Sequence, residues 1–257
     1  MTGNAQNDEK MKISEREQQI LTLLRERSFI SVSELSERLF TSPSSIRRDL
    51  SRLEKLGIVK RNYGGVVAVG GNPSAPPVAI RSEVNRSAKR AIAKKAARFL
   101  ADDLSVLIDD STTAAAMLEF IAEHKGISLF TNNVETASAA TERGIRVYLL
   151  GGELPPDSAT VTVGRFALDM LRAIRVDVCF FSASALSMDG EIYDSTEAHD
   201  LLRREMLTRA GKRVFLCDGS KFDRTSLYRV CSLSEVDAVA CDVPLPAEIP
   251  IGNAEIL

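Results

Sequence analysis

A cationic hexapeptide in the first quarter of the chain carries side chains suited to binding an anionic polymer. It reads Ser-Ile-Arg-Arg-Asp-Leu and spans residues 45–50. Ile46 and Leu50 recur at helical spacing, whereas Arg47 and Arg48 fall off that apolar stripe. Guanidinium groups on the exposed side of a helix can bind phosphates and base edges. A solvated helix face is the alternative interpretation of such a charge run, and the flanking segments favour the first one.

Capping residues bound the helix that carries the hexapeptide. Ser42 supplies a capping oxygen, Pro43 suits the first helical position, and Gly57 is a typical stop. Ser44 and Ser45 then lie in the first turn, where a recognition helix presents side chains to DNA. The apolar stripe of this helix is predicted to comprise Ile46, Leu50, Leu53 and Leu56.

Two further helices and a hairpin surround this helix. A capping box predicts a first helix over residues 14–27, and a short second helix follows at 34–39. Residues 58–67 read as a hairpin with a glycine turn, and Lys60 and Arg61 lie on it. Three helices and a hairpin make a winged helix-turn-helix, in which the hairpin cations reach phosphate while the helix enters the major groove.

The order of these motifs resembles that of the DeoR-type bacterial transcriptional regulators. Their pattern is Thr-Ile/Val-Arg-Arg-Asp-Leu followed downstream by Arg-x-His-Gly-Gly-Ala, and this chain has Ser45, Tyr63 and Val66 at the positions that differ. The resemblance implies binding to double-stranded operator DNA. The residues expected to contact DNA are Ser44, Ser45, Arg47, Arg48, Arg52, Lys60, Arg61 and Tyr63.

The remaining chain is predicted to be a linker and an α/β domain. Glycine and proline mark a linker at 69–82, between a winged helix-turn-helix at 12–68 and an effector-sensing and oligomerisation domain at 83–257. A basic helix at 84–100 either faces DNA, or is solvated, or pairs with the acidic remainder of its domain. Strands are predicted at 104–108, 127–130, 145–150, 176–181, 214–217 and 236–241, and helices at 113–123, 134–142, 165–174 and 196–209. This alternation predicts a mainly parallel sheet covered by helices on both faces.

Polar segments follow several of these strands. Residues 109–113, 131–133, 151–153 and 218–222 all fall at predicted carboxyl ends, where ligands bind in parallel sheets. Turn chemistry alone explains each segment, but four at one edge, one of them carrying Lys221, indicate a pocket for a small anion.

The resemblance extends to these segments. The C-terminal domain of the family is similar to the ribose-5-phosphate isomerase fold and has Asp-Ser-Gly-Thr-Thr, Thr-Asn, Gly-Gly and Ser-Lys-Phe motifs. It implies a phosphorylated sugar, or a related small anion, as effector. The expected effector-binding residues are Asp109, Asp110, Ser111, Thr112, Thr113, Asn132, Gly151, Gly152, Asp194, Glu197 and Lys221. Asp110 and Ser111 depart from the motif, and Glu197 either bonds a sugar hydroxyl or complements the dipole of its own helix.

Charge is distributed unevenly along the chain. Residues 1–70 hold 12 Lys and Arg against 9 Asp and Glu, a net +3, and residues 71–100 hold 7 against 1, a net +6. The remainder holds 14 against 25, a net −11, so the basic segment is confined to the first hundred residues.

Other features exclude several classes of protein. The four cysteines form no C-x-x-C pair, and the two histidines lie at unrelated spacing. We therefore expect no metal site and no cofactor. The absence of a long apolar run argues against membrane insertion and indicates a cytoplasmic protein. We expect a homo-oligomeric regulator, most simply a repressor of a carbohydrate operon. The alternatives are a sugar-phosphate isomerase-like enzyme with an accessory DNA-binding domain, and a DNA-binding protein that responds to no small molecule.

Overall fold

The computed structural model divides the chain into two compact units, Met1–Asn85 and Arg86–Leu257. It describes residues 13–26, 30–56, 58–62, 65–68, 85–155 and 158–257, and the side chains of residues 25, 26, 60–62, 67 and 68 lie outside that description. The predicted linker at 69–82 also lies outside the described residues.

The first unit consists of helices packed on a small antiparallel sheet. Its elements are α1 (Glu15–Glu26), β1 (Ile30–Ser31), α2 (Val32–Arg38), α3 (Pro43–Lys55), β2 (Val59–Asn62) and β3 (Gly65–Ala68). The strands pair in the order β1-β3-β2, and β2 and β3 form the expected hairpin. Ile46, Leu50 and Leu53 of α3 are fully buried against Ile20 and Leu35. The winged helix-turn-helix predicted from the sequence is therefore confirmed.

The apolar stripe of α3 ends earlier than predicted. Leu56 was expected on it but is 39% exposed, because it caps the helix and its side chain lies beyond the last full turn. The helix α2 also differs from expectation. It begins two residues before its predicted start, because Ser31 caps it by accepting the Glu34 N–H at 3.1 Å.

The second unit alternates helices and strands. Its helices are α4 (Arg86–Ala96), α5 (Thr112–Ala115), α6 (Leu118–Ile121), α7 (Val134–Glu142), α8 (Arg165–Arg172) and α9 (Glu197–Arg209). Its strands are β4 (Ser105–Ile108), β5 (Ser128–Thr131), β6 (Arg146–Leu149), β7 (Val176–Phe181), β8 (Ala185–Leu186), β9 (Glu191–Asp194), β10 (Ala210–Cys217), β11 (Tyr228–Ser232), β12 (Ala238–Cys241) and β13 (Glu255–Ile256).

Seven of these strands form one parallel sheet in the order β13-β12-β10-β7-β4-β5-β6. Alternate residues point to opposite faces. Leu107 and Phe181 join the core under α8 and α9, whereas Ile108 and Phe180 join the core under α4 and α5. The expected doubly covered sheet is thus confirmed.

Several parts of the second unit differ from expectation. The strand β10 begins at Ala210, four residues before its predicted start, and β13 was not predicted. The predicted helix 113–123 is divided into α5 and α6, because Ala116 and Met117 donate to carbonyls three residues back, at 3.3 and 2.9 Å, and tighten the chain between them. An antiparallel sheet of order β11-β9-β8 was not predicted. Its strands are short and lie among turns, so their apolar pattern is weak.

Candidate DNA-binding surface and effector site

Three hydrogen-bonded serines lie at the amino end of α3. Ser42 caps the helix by accepting the Ser45 N–H at 3.3 Å, and Pro43 occupies the first turn. The hydroxyls of Ser44 and Ser45 each lie 3.0 Å from that of Ser42. This network fixes the first turn, so the side chains that follow it are presented in a defined direction.

Arg47 and Arg48 project from this turn into solvent. Neither guanidinium pairs with a carboxylate in the part of the chain that the structure describes. A shallow depression of about 480 Å³ on this helix is lined by Arg47, Arg48, Ser51, Arg52 and Lys55. The exposed face of α3 is therefore cationic and open to a large anionic partner.

Two ion pairs hold α3 against α1. Asp49 accepts from Arg16 at 2.5 and 3.0 Å, and Arg52 donates to Glu17 at 2.7 Å. The Glu17 side chain is only 2% exposed, and it also accepts the Ser14 N–H at 2.8 Å, as the capping box predicts. Arg52, which was expected to contact DNA, is thus held by an internal carboxylate.

The predicted contacts from the hairpin are only partly described. Lys60 and Arg61 lie on β2, opposite Val67 and Val66 of β3, but their side chains lie outside the described residues. Tyr63 also lies outside them. Contacts of these three residues with DNA stay a prediction.

Three cations of α4 and of the turn that follows it are engaged within their own unit. Arg90 bonds Glu119 at 2.9 Å, Arg98 bonds Glu255 at 2.8 Å, and Lys95 donates to the Cys241 carbonyl at 2.7 Å. Of the three interpretations of this basic helix, pairing with its acidic domain is the one that these contacts favour.

The order of the parallel sheet defines where a ligand would bind in the second unit. The chain passes from β4 outward to β5 and β6, then returns to β7 on the other side of β4. In parallel sheets whose strand order reverses in this way, ligands bind at the carboxyl ends of the two strands that flank the reversal. Asp109 follows β4 and Ser182 follows β7, so both lie at this point.

A buried arginine lies beside the carboxyl end of β4. Arg203 of α9 is 4% exposed and donates to Asp109 at 2.9 Å and to Asp110 at 3.2 Å, and it also contacts Asp194. Burial disfavours the cation, but the neighbouring carboxylates of Asp109 and Asp110 more than offset this and raise the pKa of Arg203. The structure thus brings three predicted site residues together around an arginine that was not predicted as a site residue.

The carboxylates of this cluster have further protein partners. Asp109 accepts the Ser182 N–H at 3.0 Å and the Ser111 hydroxyl at 2.5 Å, and Asp110 lies 3.3 Å from His199. These contacts fix the loop after β4. Ser111 also caps α5 by accepting the Ala114 N–H at 3.0 Å.

Lys221 reaches Ser182, at the carboxyl end of β7, from the loop after β10. Its ammonium donates to the Ser182 hydroxyl at 2.6 Å and lies 3.5 Å from Asp218. Burial would raise the pKa of Asp218, but Lys221 and the Ser220 hydroxyl outweigh it and lower that pKa. The cationic group expected at this edge therefore lies beside the switch point of the sheet.

Asn132 follows β5 and carries an unused acceptor. Its Nδ2 donates to the Thr162 carbonyl at 3.1 Å, which fixes the orientation of the amide. Its Oδ1 is buried and has no hydrogen-bond donor among the described residues. A buried carbonyl oxygen without a donor is costly unless a ligand or water supplies one.

Glycines after β6 allow a close approach of two loops. A Cβ on Gly152 would lie 2.5 Å from the Val163 carbonyl, and one on Gly151 would lie 3.3 Å from the Met170 sulfur. The two glycines therefore allow close contact between this loop and neighbouring protein segments. Thr162 joins this loop to Asn132, because its N–H donates to the Asn132 carbonyl at 2.8 Å and its hydroxyl donates to the Leu150 carbonyl at 2.6 Å.

The other predicted residues are distributed around these groups. Thr113 is buried, Thr112 is half-buried beside it, and Glu197 is exposed in the first turn of α9. Sequence reasoning missed Ser182 and Arg203. Ser182 could have been found because it directly follows a strongly apolar strand, and Arg203 because it shares the buried face of α9 with Met206 and Leu207.

An exposed arginine pair on a helix-turn-helix, joined in one chain to a parallel sheet with polar loops, defines a DNA-binding transcriptional regulator with a sensor unit. The family model described as the DeoR-like helix-turn-helix domain matches residues 16–70, and the DeoR C terminal sensor domain matches residues 84–243. The chain therefore belongs to the DeoR family.

Relatives are similar along nearly the whole chain. The glycerol-3-phosphate regulon repressor of Escherichia coli K12 is 29% identical, covering 93% of this chain and 94% of its own length. The transcriptional repressor AccR of Agrobacterium fabrum is 28% identical over 89% of each chain. The HTH-type transcriptional regulator GolR of Listeria innocua is 30% identical, over 89% of this chain and 90% of its own.

Solved structures give more distant matches. A D-ribose-5-phosphate isomerase in complex with phospho-erythronic acid matches 54% of this chain and 55% of its own, with 19% identity and a TM-score of 0.41. A likeness at this level carries no inference about the present chain. Among the described residues, no helix has the length and apolar character needed to cross a bilayer.

Proposed function

We propose that this regulator represses a carbohydrate-metabolism operon and is released by a phosphorylated sugar or a derivative of one. The observation that carries the DNA-binding part is the pair Arg47 and Arg48, which are exposed on a capped helix and without an acidic partner among the described residues. Ser44 and Ser45 contact the same groove, and Lys60, Arg61 and Tyr63 contact the flanking backbone. Two copies would read paired half-sites.

The effector part rests on the groups at the carboxyl edge of the sheet. Lys221 offers a cation for an anionic group, and the Oδ1 of Asn132, which has no donor among the described residues, offers an acceptor for a sugar hydroxyl. A phosphorylated sugar carries both complements. Within this proposal the residues that shape the site through Arg203 and the α5 cap are Asp109, Asp110, Asp194 and Ser111. The residues that surround it are Thr112, Thr113, Gly151, Gly152 and Glu197.

Release follows from linkage between the two events. An effector that binds one quaternary arrangement better shifts the population toward it, and that arrangement fits the paired half-sites less well. The Escherichia coli relative is named a glycerol-3-phosphate regulon repressor, which supports repression and a phosphorylated carbon compound as effector.

The DNA-binding proposal is tested by changing Arg47 and Arg48 to alanine. Each arginine that contacts bases contributes about 1–3 kcal/mol, so each single change should weaken binding by about 5- to 150-fold. Binding is measured by fluorescence anisotropy on duplex DNA from upstream of the chain's own gene. Lys212→Ala, an exposed cation of the sheet unit, is the matched control. Unchanged binding of the double variant would refute the assignment.

The effector proposal is tested by thermal shift with a panel of sugar phosphates. A ligand that binds only the native state raises the melting temperature, and Lys221→Ala should abolish that rise while Lys212→Ala retains it. DNA binding of Lys221→Ala without ligand should equal that of the unaltered protein. A full shift in the Lys221 variant would show that the anion binds elsewhere.

The chain is proposed to act without catalysing a reaction on its effector. An isomerase needs a carboxylate base beside the substrate carbon, whereas Asp109, Asp110 and Asp194 are all buried and held by Arg203. Turnover of ribose 5-phosphate by the purified protein would restore the enzyme alternative.

A further inference from the structure

The turn between α2 and α3 contains a phenylalanine in the left-handed region of backbone space. Phe40 has a φ of 48°. Its N–H donates to the Glu37 carbonyl at 3.4 Å, and the Thr41 N–H donates to the Ser36 carbonyl at 3.0 Å. These two bonds form a Schellman motif, in which glycine usually occupies the left-handed position because it has no Cβ. Phenylalanine at this position therefore costs free energy that glycine would not cost.

Phenylalanine also differs from the other residues that adopt this conformation. Among the described residues, those other than glycine with a positive φ are Phe40, Asn85, Asp103 and Asp223. Asparagine and aspartate tolerate the left-handed region because their short polar side chains can form local hydrogen bonds. A bulky apolar side chain has no such compensation and is a true outlier there.

The ring of Phe40 does not stabilise the fold in return. It is 97% exposed, more than any other large apolar side chain that the structure describes, whereas the preceding Leu39 packs against the core of the first unit. An apolar ring stabilises a protein only when it is removed from water. Backbone strain that the fold does not need is characteristic of residues that contact a ligand.

The position of Phe40 identifies duplex DNA as the ligand that would cover the ring. Phe40 precedes the α3 cap Ser42 by two residues, so their Cα atoms lie at most about 7 Å apart. Ser42, Ser44 and Arg47 are exposed as well, and the exposed surface thus continues from the ring to the cationic turn of α3. The first residues of a recognition helix contact base edges in the major groove. Thymine presents an apolar group there, its 5-methyl group.

We propose that Phe40 is a specificity-determining residue, whose ring packs on a thymine methyl group of the operator beside the bases that α3 contacts. The inference rests on the proposed function, because it requires α3 to bind duplex DNA. The ring is removed from water only in the complex, so it contributes to binding and not to folding. Replacing it should therefore change stability and DNA affinity in opposite directions, whereas a structural residue would lower both.

Phe40→Gly in the full chain tests the role of the ring. Because glycine relieves the strain, the melting temperature of the first unit in calorimetry should rise, on the order of 4 °C. Binding to duplex DNA from upstream of the chain's own gene, measured by fluorescence anisotropy, should weaken by about 5- to 50-fold as the buried ring is lost. An unchanged affinity, or a lower melting temperature, would overturn the proposal.

Two further variants separate the ring from the backbone. Phe40→Tyr keeps an aromatic ring and should retain the affinity of the unaltered protein. Asn85→Gly is the matched control, since Asn85 is exposed, uncharged and has a φ of 56° but lies outside the turn; its affinity should be unchanged. If the Arg47 and Arg48 double variant loses DNA binding while Phe40→Gly does not, this inference fails and the proposed function stands.

Replacing thymine by uracil tests the methyl contact itself, because it removes one methyl group and keeps the base pair. Each thymine of the bound duplex is replaced in turn. At one position in a half-site, the unaltered protein should lose about 4-fold in affinity, while Phe40→Gly should bind both duplexes equally. A loss that is the same in both proteins at every position would overturn the thymine contact.

Discussion

Arg203 changes the role of the carboxylates that the sequence places at the sheet edge. Asp109, Asp110 and Asp194 come from two segments far apart in the chain, yet all three contact one guanidinium. Removing one partner of a buried ionic group leaves uncompensated charge, which is more costly than the pair is stabilising. The cluster is therefore best understood as the framework that sets the shape of the site.

We expect Arg203→Met to lower the free energy of unfolding by about 3–5 kcal/mol, because three buried carboxylates lose their cation. Urea denaturation followed by circular dichroism measures this. Arg90→Met is the control, since Arg90 pairs with Glu119 at the surface, where the two side chains are 62% and 46% exposed, and its loss should be below about 1 kcal/mol. Similar losses in the two variants would contradict the framework role.

The site residues show what sequence reasoning reaches and what it does not. Lys221 and Asn132 could be placed at one edge because strand ends of a parallel sheet lie together. The contact of Lys221 with Ser182 and that of Arg203 with Asp109 could not be predicted. Ser182 follows β7 and Arg203 lies on α9, so both contacts depend on the packing of the whole unit. The burial of Asp109 follows from the same long-range packing.

The recognition helix depends on α1 for its orientation. Glu17 caps α1 through Ser14 and binds Arg52 of α3, so one carboxylate serves two elements. Glu17→Gln keeps the shape but removes the charge. We expect the first unit to lose about 1–2 kcal/mol of stability.

Thermal unfolding of the Glu17→Gln variant measures this loss, and DNA affinity should fall with it because α3 is less firmly held. Glu15→Gln is the control, since Glu15 is exposed in the same first turn. If Glu17→Gln melts like the Glu15 variant, the contact between α1 and α3 contributes little.

Elements with strong local signals were predicted well. The bounds of α7 and β7 agree with expectation, and Ser42 and Pro43 start α3 as predicted. The divided α5 and α6 and the strands β8, β9 and β11 were not predicted. Their form depends on tertiary contacts that no short window of sequence contains, such as the pairing of Tyr193 on β9 with Ala185 on β8.

The two units have separate hydrophobic cores. Ile20, Leu50 and Val66 belong to a cluster drawn only from the first unit, and Leu107 belongs to one drawn only from the second. Each core should therefore be able to unfold as its own cooperative transition.

Leu50→Ala should destabilise the first unit by about 2–5 kcal/mol and leave the transition of the second unit in place. Differential scanning calorimetry of the full chain distinguishes the two. Leu107→Ala is the reciprocal control, with the opposite transition displaced. A single transition that moves equally in both variants would show that the units unfold together.

The sulfur of Met170 accepts the Gly151 N–H at 3.0 Å, so the loop after β6 is tied to α8. A ligand that displaced Gly151 would break this bond and release the carboxyl-terminal half of α8. The proposed site would then act on a helix whose outer face carries the exposed side chain of Phe166.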